Sequence, residues 1–141
     1  MKILGLDYGT KRIGVAVSDD LGITARGLST IERKGLEGDI LVIVNLVREL
    51  GAGKIILGYP ITLSGEEGVA CERVRKFAGV LESKLDIPVI LWDETLSTVE
   101  AESILRESAV KWKKRKKVID SLAAAIILQG YLDHVANGAS S

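Results

Sequence analysis

The sequence predicts an α/β fold, a five-stranded mixed sheet flanked by helices, with the first three strands antiparallel. Three observations carry that prediction. The first 32 residues hold three strand-like segments separated only by short turns, the pattern of a meander. Residues 54–60 and 89–92 are short apolar runs, each preceded by a stretch whose apolar residues recur every three or four positions. Strand–helix units of that kind build parallel strands buried on both faces. With 141 residues, 47% of them apolar and 27% charged, the chain fits one domain, residues 1–141, with a core of ordinary size.

Taken in order, Ile3-Leu4-Gly5-Leu6-Asp7 is a first strand that ends in an acid. Tyr8-Gly9-Thr10-Lys11 turns the chain, and residues 12–17 return as a second strand. Asp19-Asp20-Leu21-Gly22 is the next turn, and residues 23–32 form the third strand. Leu36, Ile40, Ile43, Val47 and Leu50 mark the buried stripe of a helix that Gly51 and Gly53 end. Residues 54–60 give a buried strand stopped by Pro60. A polar loop through Ser64 and Gly65 opens a second helix, with Ala70, Val74, Phe77, Leu81 and Leu85 on one side, and Asp86-Ile87-Pro88 breaks it. Val89-Ile90-Leu91-Trp92 then delivers Asp93 and Glu94 to a strand end. Ser97-Thr98-Val99-Glu100 has capping-box spacing and starts a helix to about residue 107. A basic loop over residues 111–117 leads into a last helix over 118–134, and residues 138–141 form a frayed tail.

The composition narrows the chemistry. A single cysteine, Cys71, rules out an intrachain disulfide and a Cys-rich zinc site, and its apolar neighbours make it a packing residue. A single histidine, His134, in the last turn of a helix, leaves Ser-His and Cys-His catalysis without support. No basic segment precedes an apolar leader and no apolar run approaches a membrane span, so a cytoplasmic protein without membrane contact is expected. The formal charge is zero, but six of the seven residues Lys111, Trp112, Lys113, Lys114, Arg115, Lys116 and Lys117 are basic. A cationic stretch that carries a tryptophan fits a phosphate backbone with a stacking side chain, and Lys11 and Arg12 extend the charge. The same run also reads as a solvated connector.

In mixed sheets of this order, ligands gather beyond the carboxyl ends of the parallel strands. Asp7, Pro60 and Asp93-Glu94 end those strands. In the last helix, Asp120 precedes Ala123, Ala124 and Ile127 at spacings that set it on a face of small apolar residues; an Asp in a first helical turn also simply stabilises the helix dipole. Asp7 has its own local alternative, since Asp opens turns by accepting backbone amides. Together Asp7, Glu94 and Asp120 are three carboxylates able to converge on one edge, with Asp93 the alternative to Glu94. Carboxylates brought that close repel unless a hard cation such as Mg²⁺ or Mn²⁺ joins them. A pair of such ions supports phosphodiester cleavage.

DYGTKRIGVAVSD, LGYP, DETLST and KKRKKVIDSLAAAIILQGYLD, in that order and at that length, resemble the YqgF family, also called RuvX. The resemblance implies a ribonuclease-H-like fold and metal-dependent hydrolysis of structured nucleic acid. Processing of the 5′ end of precursor 16S ribosomal RNA is its first implied role, with ribosomal particles as partners. Resolution of branched DNA is the second. It assigns catalysis and metal binding to Asp7, Glu94 and Asp120, in a monomer or weak homodimer. The family usually has Asp-Glu-Arg where this chain reads Asp93-Glu94-Thr95, which leaves Arg12 or the basic stretch to supply a phosphate clamp. Two other classes share features with the chain. An actin-like nucleotide-binding protein would need a second domain, and a non-catalytic RNA-binding assembly factor would keep the fold without turnover.

Overall fold

The computed structural model of the chain describes residues 1–59, 68–93, 112–136 and 138, the side chains of 69–70 and 112–120 excepted. Its elements are β1 (Ile3–Tyr8), β2 (Arg12–Ser18), β3 (Ala25–Glu32), α1 (Leu36–Leu50), β4 (Lys54–Tyr59), α2 (Val69–Lys84), β5 (Val89–Asp93) and α3 (Trp112–Ala136). The five strands form one sheet in the order β3-β2-β1-β4-β5. β1, β2 and β3 pair antiparallel, whereas β4 and β5 run parallel to β1, as the sequence predicts. The loop expected around Ser64 and Gly65 and the helix expected from Ser97 lie outside the described residues, as do Pro60, Glu94, Thr95 and Lys111.

Strand alternation divides the core in two. Leu4, Leu6, Val15, Val17, Ile55 and Leu57 face α1 and α2, which add Ile40, Ile43, Val47, Val74, Phe77 and Leu81. Cys71 is buried in that layer. Ile3, Ala16 and Ile56 face α3, which adds Ala124, Ile127, Leu128 and Tyr131. No described helix is long and apolar enough to cross a membrane.

Where α3 crosses the sheet decides where the site lies. A Cβ built on Gly5 would stand 2.8 Å from Leu128 Cβ and 3.2 Å from the Ala124 carbonyl, so only glycine lets this helix come so close to β1. The helix is pinned at its far end. Gln129 Oε1 accepts the Ala25 amide at 2.8 Å while its Nε2 donates to the Ile23 carbonyl at 3.0 Å, and Lys54 Nζ donates to the Tyr131 hydroxyl at 2.9 Å. Ser121 meets Gly27 of β3, level with Gly5 through Ala16, and Tyr131 meets the first residue of β4, so α3 crosses the sheet from β3 towards β4.

One expectation is corrected here. Trp112 to Lys117 do not form a loop: the helix begins at Trp112 and includes them. Asp120 is therefore not in a first turn, which holds no acidic residue. The dipole effect fades within one turn, so it does not account for an acid at that position. Local sequence reading failed because like charges in series argue against a helix. Here the helix is continuous with one that packs tightly on the sheet.

Candidate active site

Asp7 is the penultimate residue of β1 and half-buried. It alternates with Ile3 and Gly5, and so shares the sheet face that α3 covers. Its partner across β2 is Gly14. On the other side β1 and β4 are in register to Leu6 and Leu57, and one further step brings Asp7 level with Gly58. The positions beside it on both flanking strands are thus glycines. Both glycines stand in the sequence, but their meaning depends on pairing register and was missed.

The helix supplies the second acidic position. Ala124 lies over Gly5. From there Asp120 is one turn back along α3, about 6 Å, and Asp7 is two residues forward along β1, about 6.6 Å. Both positions are thus a short step from the Gly5–Ala124 contact. Glu94, the third predicted acid, lies outside the described residues, and its neighbour Asp93 ends β5 paired with Tyr59 of β4. Among the described residues no three of His, Cys, Asp and Glu gather closely enough to hold a metal ion.

Two of the predicted cations flank this edge. Lys11 is exposed in the β1–β2 turn. Arg12 alternates with Gly14 and so lies on Asp7's side of the sheet; its Nε donates to Glu32 Oε1 at 3.1 Å. That exposed pair stabilises the fold by ~1 kcal/mol or less. The helical register sets the basic stretch in line with the acid. Counting back from Ala124 in steps of four, three and four gives Asp120, Lys117 and Lys113, one continuous row along α3.

The sequence reading also missed a buried ion pair behind the turn. Arg33 Nε donates to Asp39 Oδ2 at 3.0 Å, and Asp39, in the first turn of α1, is 1% exposed. The available signal was a charge beside the apolar stripe of a helix: Asp39 falls one turn before Ile43. On the outer side of β5, Trp92 packs edge-on to Tyr131 and against His134, so the only histidine is an aromatic contact of the α3 layer.

Known proteins match this chain over nearly its full length. The sequence model of the RuvX family, described as Holliday junction resolvase, matches residues 1–134. A relative from Syntrophus aciditrophicus (strain SB), named as a pre-16S rRNA nuclease, is 56% identical over 135 residues, covering 96% of this chain and 90% of its own. One of the same name from Bacillus subtilis (strain 168) is 48% identical over 135 residues, with coverage of 94% and 98%. Among solved structures, Thermus thermophilus RuvC in complex with Holliday junction substrate has a TM-score of 0.63 at 13% identity, over 99% of this chain and 98% of the other. The fowlpox virus resolvase, solved with Holliday junction DNA, gives 0.55 at 13% identity, over 96% and 99%. At such identity the likeness to these two is one of fold, the ribonuclease-H-like fold. The chain belongs to the RuvX family and is a nuclease.

Proposed function

We propose that the chain is a single-domain, metal-dependent phosphodiesterase that trims the 5′ end of precursor 16S ribosomal RNA in the cytoplasm. It would meet that RNA within ribosomal particles, as a monomer or weak homodimer. The observation that supports the metal site is the Gly5–Ala124 contact between β1 and α3, from which Asp7 and Asp120 are each a short step, with Gly14 and Gly58 beside Asp7 on the flanking strands. Hard carboxylate donors of that kind fit Mg²⁺ or Mn²⁺. Asp7, Glu94 and Asp120 would hold the metal. Strand parity supports Glu94 over Asp93, because Asp93 pairs with Tyr59, a residue of the opposite core layer. An ion held by those carboxylates would supply Lewis-acid chemistry, favouring deprotonation of an attacking water and offsetting charge on the leaving oxygen.

The chain's own side chains do the rest. The row through Lys113 and Lys117 carries positive charge away from Asp120 along α3, where a nucleic-acid backbone would lie against it. Trp112, Lys114, Arg115, Lys116 and Lys111 widen that contact. Lys11 and Arg12 hold phosphate on the other side of Asp7 and stand in for the arginine that Thr95 replaces. The description of the family favours a second reading, in which the substrate is a four-way DNA junction.

The test is cleavage by the purified chain of a precursor 16S fragment and of a four-way junction, with Mg²⁺, Mn²⁺ or EDTA. Cutting of the RNA at its 5′ side, dependent on the divalent ion, is expected. Asp7→Asn should lower it more than about a hundredfold, since even outer-shell changes at metal sites reach that loss. Glu94→Gln should match it, and Asp93→Asn should stay near the parent. A cut junction beside intact RNA would favour the second reading. Activity undiminished in Asp7→Asn would overturn the carboxylate assignment.

A further inference from the structure

The β1–β2 turn is tied from behind. Gly9 N–H donates to the Arg12 carbonyl at 3.0 Å, and a Cβ on Gly9 would stand 2.6 Å from that oxygen, so the turn closes only around glycine. The Gly9 carbonyl in turn accepts Arg33 Nη1 at 3.2 Å. The same guanidinium stacks over the Tyr8 ring, 4.5 Å from its centroid, and Tyr8 rests on Phe77 with centroids 4.4 Å apart. Its Nε is held by Asp39 Oδ2 at 3.0 Å, while Asp39 Oδ1 accepts the Lys34 amide at 3.1 Å. One side chain thus joins the end of β1, the β3–α1 connection and the first turn of α1.

Stability alone does not explain this arrangement. A buried ion pair gives up hydration on both charges, and apolar residues of similar volume often serve as well or better. What an apolar pair lacks is direction, because it cannot grip a carbonyl. We infer that Arg33, oriented by Asp39, is a positioning residue for nuclease activity: it fixes Tyr8-Gly9 and thereby the carboxylate of Asp7 one residue earlier. This inference rests on the assignment of Asp7 to the active site.

The test compares Arg33→Lys with the double variant Arg33→Met/Asp39→Leu, on whichever substrate the parent cuts and with Mg²⁺ present. Arg33→Lys keeps a charge opposite Asp39, so it leaves no unpaired buried carboxylate, but its single nitrogen lacks the rigid planar fork by which Nε holds Asp39 while Nη1 reaches Gly9. The double variant removes the pair altogether. In both, kcat should fall about 10–100-fold, the loss typical when an active group is held slightly out of place. KM for the nucleic acid should change less than kcat, because the phosphate contacts along α3 are left in place even where Lys11 and Arg12 of the loosened turn are not. Hydrogen exchange at the Gly9 amide should quicken about tenfold or more in the folded variants. Parent-like kcat, or unchanged exchange at Gly9, in folded Arg33→Lys would overturn the inference. Asp7→Asn assayed beside it separates the two readings: inactive Asp7→Asn with fully active Arg33→Lys removes only the positioning role, and active Asp7→Asn removes both.

Discussion

Asp7 and Asp19 are both acids at strand ends, and the structure gives them different work. Asp19 closes the β2–β3 turn: its Oδ1 accepts the amides of Ile23 at 2.7 Å and Thr24 at 3.3 Å. These bonds, the one from Ile23 foremost, hold its pKa below the usual 3.8. A pKa lowered by folding contributes stability above the unfolded value that disappears as pH falls through the folded one. Asp19→Ala should therefore unfold at lower urea than the parent above about pH 5, the upper end of the range over which such a carboxylate protonates. That gap should close as the pH drops below 3.8, and urea melts across this range check it. Asp7 has a different environment, with glycines on both flanks and a helix approaching from the covered face. At this scale the sequence reading found the acid at the strand end. It missed Gly14, Gly58 and Arg33, whose roles depend on partners 7 residues or more away in the chain, or across the turn from it.

Among the elements, α3 matters most for the site because its closeness to β1 sets how far Asp120 stands from Asp7. The row of small residues, Ala123 at 1% and Ala124 at 0% exposure, was legible as a close-packing face. The extension of the helix to Trp112 was not, since local charge repulsion argues against it and only docking on the sheet outweighs it. Gly5→Ala tests the approach. Its added methyl meets Leu128 Cβ and the Ala124 carbonyl, so it should destabilise the fold by about 1–3 kcal/mol, as overpacking does. It should also lower nuclease activity by pushing the helix outward. Adding Leu128→Gly, which removes the Cβ that the methyl meets, should recover part of the activity if the clash is the cause; denaturant melts and cleavage rates together measure it. Activity unaffected by Gly5→Ala, with stability lost, would separate the helix position from the chemistry.

Across the whole molecule, a formal charge of zero hides an uneven placement along the chain, with six of the seven residues 111–117 basic. Lys11 and Arg12 flank Asp7, Arg33 and Lys34 follow β3, and Arg75 reaches the Tyr59 hydroxyl at 3.0 Å, where β4 ends. Such a field draws a polyanion toward the carboxylate edge at long range. Changing Lys113, Lys114, Lys116 and Lys117 to Gln should weaken binding to all nucleic acids alike. The slope of log affinity against log salt should drop by about one per lost phosphate contact. Because the stretch is helical, Arg115 sits about half a turn from the row that holds Lys113, Lys117 and Asp120. Arg115→Gln alone should change the slope less than Lys117→Gln, and fluorescence titrations at several salt concentrations decide between them. Equal effects would mean that the helix does not present one face to the backbone.

The sequence by itself determined the element order, the mixed sheet and the edge where chemistry gathers. Those follow from hydrophobic period, turn residues and handed connections, all of which act over a few residues. It also determined the acids that could meet, because apolar strands ending in Asp are few in this chain. Only the tertiary structure decided that α3 crosses the sheet with Ala124 on Gly5, that glycines flank Asp7, and that Arg33 reaches from beyond β3 to grip the turn after β1. Each of these is a contact between segments distant in sequence, and its geometry comes from register and close packing, which no local pattern of residues specifies.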